Sequence, residues 1–506
     1  MSSNPLRASL GTVLSALVGL ALSSSSATAA RQDSAPPSTA GSDSTAGSDS
    51  TAGSTASDAA TAPANDSSRP QTTQQVDQFL HYIMIARPDL ARVAGEALVS
   101  DAVTPAQLAE AVDGMNLGDR LIRALNRGRA MGDGVGELVG KFDAKLEEGR
   151  RALAREPARI KEAIDWLDGT IRQQGLARAR LVAAGEYAVP MLLAQIVENK
   201  NARVEIAASE VLVEIRRLAV LPLVAALPDI DPTAQRKVAE ILAQISWPTA
   251  VPYLQELAER SPAPNDVREA AYRSISRLGG LRGEVSQSIT ALARDFFLRK
   301  LELIPYPSEA TNNIWSWSTF GGLTPTPVPT GIYCDVMAMQ LAERALEADA
   351  SNLQALAVFV AANLRRQNDL PEGATDPIYG DLKGSPQFYA TIVGPSVGQQ
   401  VLSLAIDTGD TALVRDAIET LGETGGAGVV AGVAGRAPII ECLGYPDRRV
   451  RYDAAILLGR ALPSSRFPQD TAVVPLLASA ARSAGVMYAA VVAPDSEDQR
   501  QIASSL

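Results

Sequence analysis

The chain has 506 residues, with 46 Lys and Arg against 57 Asp and Glu, one histidine and two cysteines, and a formal net charge of −11. One histidine excludes a multi-histidine metal site, and two cysteines exclude both a disulfide scaffold and a four-cysteine zinc cluster. The acidic balance argues against nucleic acid or an anionic membrane surface as main partner, and 46% hydrophobic residues with only 5% aromatics favour helices over sandwiches or barrels.

Arg7 is the only charge ahead of an apolar run from Leu10 to Leu22, and a serine-rich stretch follows, ending Ala27-Thr28-Ala29. This is the charged start, apolar centre and small-residue cleavage site of a secretory signal peptide over 1–29, with cleavage after Ala29 or Ala30. The run is too short to cross a bilayer, which takes about 20 residues, so the mature chain is expected outside the cytoplasm without an integral membrane span. Residues 30–73 repeat Ser-Thr-Ala-Gly-Ser-Asp and carry no apolar side chain larger than alanine apart from proline. Such a composition cannot offset its ordering entropy and reads as a disordered linker.

Order is expected from Gln74, opening an N-terminal helical region over 74–184. Val76, Phe79, Leu80 and Ile83 share one helical face, and Thr104-Pro105-Ala106-Gln107 has the form of a capping box with proline in the first turn. Phe142 to Leu181 reads as helical, with Glu147 and Arg151 spaced to pair. Arg120, Arg123, Arg127 and Arg129 form a basic cluster, read as a solvated face because acids resume nearby.

The informative feature is a repeat over 185–282. Val189-Pro190-Met191, Leu221-Pro222-Leu223 and Val251-Pro252-Tyr253 place prolines 32 and then 30 residues apart, each opening an amphipathic helix that a second helix follows. Repeated helix pairs at this period predict a solenoid, because one pair cannot bury its own apolar face. Asp266-Val267-Arg268-Glu269-Ala270-Ala271, and Asp447 to Ala455 in a terminal unit over 436–485, resemble the second-helix signature of HEAT repeats. In that signature Asp266 and Asp447 cap their helices, the valine plugs the seam between repeats, and Arg268 and Arg451 reach an acid on an adjacent repeat as a structural ladder.

Residues 334–370 are different. Leu341 to Asp349, then Ser351-Asn352 and Leu353-Gln354-Ala355-Leu356, resemble a tetratricopeptide junction, with Ala350 in place of the usual proline. The connector before it, 283–333, holds Ile314-Trp315-Ser316-Trp317-Ser318, whose alternation ahead of Gly321-Gly322 predicts a β-hairpin closed by the proline-rich run to Pro329. Trp315 and Trp317 either form a stacking platform for a partner or pack on the helices. The fold class is therefore all-α: a solenoid of HEAT-like pairs with one tetratricopeptide-like pair and a small β-hairpin insertion. The order of modules resembles exported bacterial HEAT-repeat proteins, which implies architecture and location but no activity.

No catalytic, cofactor-binding or metal-binding residue emerges. A Ser-His-Asp triad would depend on His81 alone, and no Gly-x-Ser-x-Gly elbow is present. Within the helical repeats of 371–435, Gly425 to Gly432 follows a helix rather than a strand, reading as a connector and not a dinucleotide loop. Cys334 and Cys442 either pair or remain buried thiols. The tail 486–506, with a strand over 486–493, Asp495 and a helix from Glu497, resembles the start of a receiver domain, in a chain that is either cut short or pairs this tail with something else. These readings favour a non-enzymatic repeat scaffold for a protein partner in the cell envelope, without nucleic acid or cofactor. The alternatives are a regulatory protein whose receiver-like domain is truncated, and a lyase or hydrolase with an unrecognised carboxylate site. Intact mass of the native protein is expected to show loss of the first 29 or 30 residues; an uncleaved chain would remove the export assignment.

Overall fold

A computed structural model describes residues 70–260, 264–280, 283–318, 320–380, 384–433, 435–483 and 495–505. The signal peptide, all but the end of the linker and the strand expected at 486–493 lie outside the described residues. The fold is an all-α solenoid with one two-stranded sheet among the described residues, and it divides near Trp247 into two units.

In the first unit, α1 (Gln71–Met84), opening at Gln71 rather than Gln74, joins α2 (Pro88–Val99), α3 (Pro105–Gly114), α4 (Asp119–Arg129) and α5 (Val135–Ala154) around one core. Val76, Phe79, Leu80 and Ile83 point into that core, with the Phe79 and Phe142 rings 5.2 Å apart. The Thr104 capping box forms: the Gln107 amide N–H donates to Thr104 Oγ1 at 3.3 Å, and the Thr104 N–H donates to Gln107 Oε1 at 3.0 Å. The stretch from Phe142 to Leu181 is helical, divided at Pro157 and Gly169 into α5, α6 (Pro157–Asp165) and α7 (Ile171–Ala184). Glu147 pairs with Arg150 rather than Arg151, at 3.1 Å. Arg120 and Arg129 of the basic cluster bond Asp77 and Asp143, as befits a surface of mixed charge.

The repeats continue with α8 (Val189–Glu198), α9 (Ala202–Ile215), α10 (Val220–Ala226) and α11 (Pro232–Ile245). Helix α9 packs on α8 within its pair and on α7 and α11 to either side. Ile171–Glu198 is long and apolar enough by composition to cross a membrane. Here it is two helices and a turn, with Arg178 bonded to Glu210 and Glu214 and Arg180 to Glu162. Each repeat junction has the same form. A positive-φ residue (Gly185, Arg216, Ser246) ends one helix, a buried alanine follows (Ala188, Ala219, Ala250), then a buried valine (Val189, Val220, Val251) starts the next. The proline that marked the period sits in the first turn, where its missing N–H costs nothing.

The second unit begins with α12 (Val251–Glu259), α13 (Asn265–Arg277) and α14 (Val285–Phe297), then β1 (Thr311–Ser318) and β2 (Gly322–Pro329). The strands pair antiparallel with Trp315 opposite Pro325, Asn313 opposite Pro327 and Thr311 opposite Pro329. The proline-rich run is thus the second strand and not merely a closure. Since proline has no N–H, these pairs are the non-hydrogen-bonded ones, and all three prolines turn their nitrogens away from β1. The hairpin base is tied down by Asn312, which accepts from the Tyr306 N–H at 2.8 Å and donates to Thr330 Oγ1 at 2.9 Å.

Next come α15 (Thr330–Ala348) and α16 (Leu353–Asp369), the tetratricopeptide-like pair. Asn352 caps α16 by accepting from the Ala355 N–H at 3.0 Å, and donates to Ser286 and Thr290 of α14, tying the turn to its neighbour. The rest is α17 (Pro386–Ile392), α18 (Gly394–Thr408), α19 (Thr411–Thr424), α20 (Pro438–Glu441), α21 (Arg448–Ala461), α22 (Asp470–Ser483) and α23 (Ser496–Ser505). The glycine-rich connector forms a 3-10 turn over Gly426–Ala431 and is held by Gln399, whose amide donates to the Val429 carbonyl. Cys334 and Cys442 are buried free thiols, each pushed up to about 12 by burial.

Arg216 occupies φ 60°, ψ −135°, almost the same backbone conformation as Gly185 at φ 59°, ψ −131°. That region is nearly exclusive to glycine because a Cβ clashes there. Arg216→Gly is expected to stabilise the protein by about 1 kcal/mol, read as a melting point higher by roughly 2–4 °C. Gly185→Ala should shift it in the opposite direction. Equal melting points for the three proteins would contradict the strain.

Candidate interaction groove

The residues expected to matter are dispersed. Trp315 and Trp317 lie on one face of β1, but Trp315 is only 8% exposed and Trp317 half-buried. Asn312 to Trp315 are all buried, so the base of β1 is covered on both faces rather than alternating. Trp315 is therefore a packing residue and offers no open ring face to a partner, which corrects half of the expected platform. The exposed ring at the hairpin tip is Phe320, at 103%.

The ladder expected from the repeat signature is partly redirected. Asp447 caps α21 as expected, accepting from the Arg449 and Val450 N–H groups at 2.7 and 3.1 Å. Asp266 is instead the second residue of α13, behind Pro264 at the cap position. It lends negative charge to the first turn without being the cap. Arg451 donates to the carbonyls of Tyr445 and Pro446, at 2.6 and 2.7 Å, and not to an acid on the next repeat. Arg268 is exposed and makes no ion pair among the described residues. The cross-repeat pairs are others: Arg178 with Glu210 and Glu214, Lys237 with Glu205 at 2.5 Å, and Arg415 with Asp453 at 2.8 Å.

A buried polar network lies between α14, α15 and α16. Asp335 is fully buried and accepts from Arg365 Nε at 2.8 Å and Nη2 at 2.6 Å, and from Arg299 Nη2 at 2.6 Å. Burial pushes its carboxyl above the ordinary value, against the pull of both guanidiniums. Arg366 reaches Asp376 at 2.7 Å, and Asp376 in turn receives the Ile378 and Tyr379 N–H groups. Tyr379 donates its hydroxyl to Glu343 Oε2 at 2.7 Å. Burial pushes Glu343 up to about 7, and Glu347 one turn on is raised in the same way. These acids sit apart from the groove described next, and the bonds around them are those of a structural lock on the segment after α16.

The groove, about 620 Å3 in volume, is lined by α19 and α21 with Asn368 at the end of α16. All three are second helices of successive pairs, so the groove is the face that stacking leaves uncovered. Its floor is Gly422, Leu457 and Ile456, the last 36% exposed. Its α19 wall carries Asp416, Glu419 and Glu423, three carboxylates at i, i+3 and i+7, which share one helical face. Asn368 Nδ2 donates to Asp416 at 2.6 Å and the Thr391 hydroxyl to Glu423 at 3.1 Å, both neutral donors. Glu419 is exposed and makes no ion pair among the described residues. The signal for this wall was present in the sequence as acids in helical register, but nothing in it distinguished them from any solvated face.

No cluster of three or more His, Cys, Asp or Glu suited to a metal ion occurs among the described residues. Residues 220–296 match the family of HEAT repeats. No curated protein matches the chain. A solved structure, described as a circular tandem repeat protein with novel repeat topology and enhanced subunit contact surfaces, is similar at 14% identity. That match covers 86% of this chain and 80% of the other, with a TM-score of 0.16, and carries no argument about function.

Because Glu343 holds its proton more tightly in the fold than at the ordinary glutamate value of 4.5, its contribution to stability is present below about pH 4.5 and lost as pH rises through about 7. Glu343→Gln mimics the protonated acid. The variant should melt with the native protein at about pH 4 and higher by roughly 2–4 °C at pH 8, measured by circular dichroism. An equal offset at both pH values would rule out the shifted carboxyl.

Proposed function

We propose that this chain is an exported, non-catalytic scaffold that holds a protein partner of the cell envelope in the groove between α19 and α21. HEAT repeats generally serve as interaction scaffolds, their repeated helices presenting extended concave surfaces. The observation that carries the reading is the division of labour in α19. Leu413, Val414, Ala417, Ile418 and Leu421 are buried, and Asp416, Glu419, Glu423 and Gly422 line the open groove that α19 shares with α21. Export rests on the charged start, apolar run and Ala27-Thr28-Ala29 of the N-terminal sequence. The buried acids around Glu343 are engaged in structural hydrogen bonds, which supports binding over catalysis.

A photocrosslinking residue placed at Ile456 in the native host tests the reading. It is expected to give a discrete adduct with one envelope protein, absent when the same group replaces exposed Ser396 on α18. Identical adduct patterns from the two positions, or none from Ile456, would count against the groove as the binding surface.

A further inference from the structure

We infer that the occupant of this groove is a cationic amphipathic helix of the partner, with Lys or Arg on the turns facing α19 and one apolar side chain seated over Gly422. The inference rests on the groove being the binding surface and adds the chemistry of what it binds. Arg415 and Asp453 neutralise one another across the groove, which leaves Asp416, Glu419 and Glu423 facing Arg460. The wall is therefore net negative, and its hydrogen bonds from Asn368 and Thr391 bring no compensating charge.

Geometry sets the register. Along a helix that rises about 1.5 Å per residue, carboxylates at i, i+3 and i+7 mark a line roughly 10 Å long. A second helix carries cations at the same intervals when its basic residues share a face. The floor sets the anchor. A Cβ added at Gly422 would stand 3.5 Å from Leu457 Cδ1, ordinary contact distance, so the missing side chain leaves space above an apolar surface that Ile456 extends.

The chain's own N-terminal segment is a poor occupant, because residues 30–69 carry Asp33, Asp43, Asp49, Asp58 and Asp66 against Arg31 and Arg69. A second copy is disfavoured by the net charge of −11.

Two fluorescein-labelled helical peptides of about 18 residues, five turns, serve as probes. One carries Lys at i, i+3 and i+7 beside a Leu, and the other replaces each Lys by Glu. Binding is measured by anisotropy to the native chain, to the triple variant Asp416→Asn, Glu419→Gln, Glu423→Gln, and to Gly422→Leu. Leucine is a better helix former than glycine at this exposed position, so the last variant blocks the floor without threatening the fold, and melting curves check both variants. The expected result is binding of the Lys probe only, at least tenfold weaker in each variant and weakened by salt.

Equal binding of both probes, lost in Gly422→Leu but kept in the triple variant, overturns the cationic inference and leaves the groove reading intact. Binding of the Lys probe that neither variant alters overturns both. Failure of the Lys probe to bind overturns the cationic helix, and the crosslink from Ile456 then decides the groove on its own. A native dimer that the triple variant dissolves assigns the groove to a second copy and overturns the inference.

Discussion

An amphipathic helix pair has more apolar surface than its two members can cover, so within each unit the pairs fold against their neighbours. Fully burying a side chain the size of valine or leucine contributes about 1.5–3 kcal/mol, and the seams are lined by such residues: Val204, Ala208 and Leu212 on α9, Val238, Ala239 and Leu242 on α11. The junctions enforce the spacing. A positive-φ residue turns the chain, a buried alanine lets backbones approach, and a buried valine fills the seam. What stacking covers is decided by these residues, and what it leaves open is decided by default. On α19 and α21 the open remainder is a groove with charged walls, a consequence of the same constraint that builds the core.

The tetratricopeptide-like pair departs from that economy. Between α14, α15 and α16 the contacts include Asp335, Arg365, Arg366 and Asp376, all buried. Burial of charge is costly, and such pairs are weak evidence of stability even when well bonded. Their value here is geometric. Asp335 accepts from two guanidiniums, Arg365 also reaches the Phe297 carbonyl, and Asn352 joins α14 across the turn. An apolar seam tolerates sliding by a turn, whereas this set of directional bonds holds in one register. Breaking one partner leaves an uncompensated buried charge, at a cost of about 3–5 kcal/mol.

Much of the fold was legible because it repeats. Pro190, Pro222 and Pro252 announced the period, Thr104 and Asp447 announced their caps, and Trp315 with Trp317 announced a hairpin. The misreadings share a cause. Asp266 looks like Asp447 in the chain, but its helix starts at Asn265, two residues earlier than a cap at Asp266 requires, so a cap becomes a first-turn residue. Arg451 bonds the carbonyls of Tyr445 and Pro446, just ahead of its own helix, instead of an acid on another repeat. Glu343 and the wall of α19 were invisible for a different reason. Burial and partnership are properties of what the rest of the chain places beside a residue, and no local pattern encodes them. The same holds for Trp315, whose burial the pattern of β1 alone does not encode.

The prolines of β2 have a further consequence. Pro325, Pro327 and Pro329 leave the outer side of that strand with carbonyl acceptors but without their N–H donors, so an incoming strand would find its own carbonyls unanswered there. A two-stranded ribbon is otherwise an invitation to sheet growth between molecules. Three alternating imino acids close that side covalently, in a way that no change of pH or salt can undo. Colloidal behaviour at high local concentration is in this respect written into every second residue of one strand, and a single Pro→Thr exchange would restore a donor where the chain has removed it.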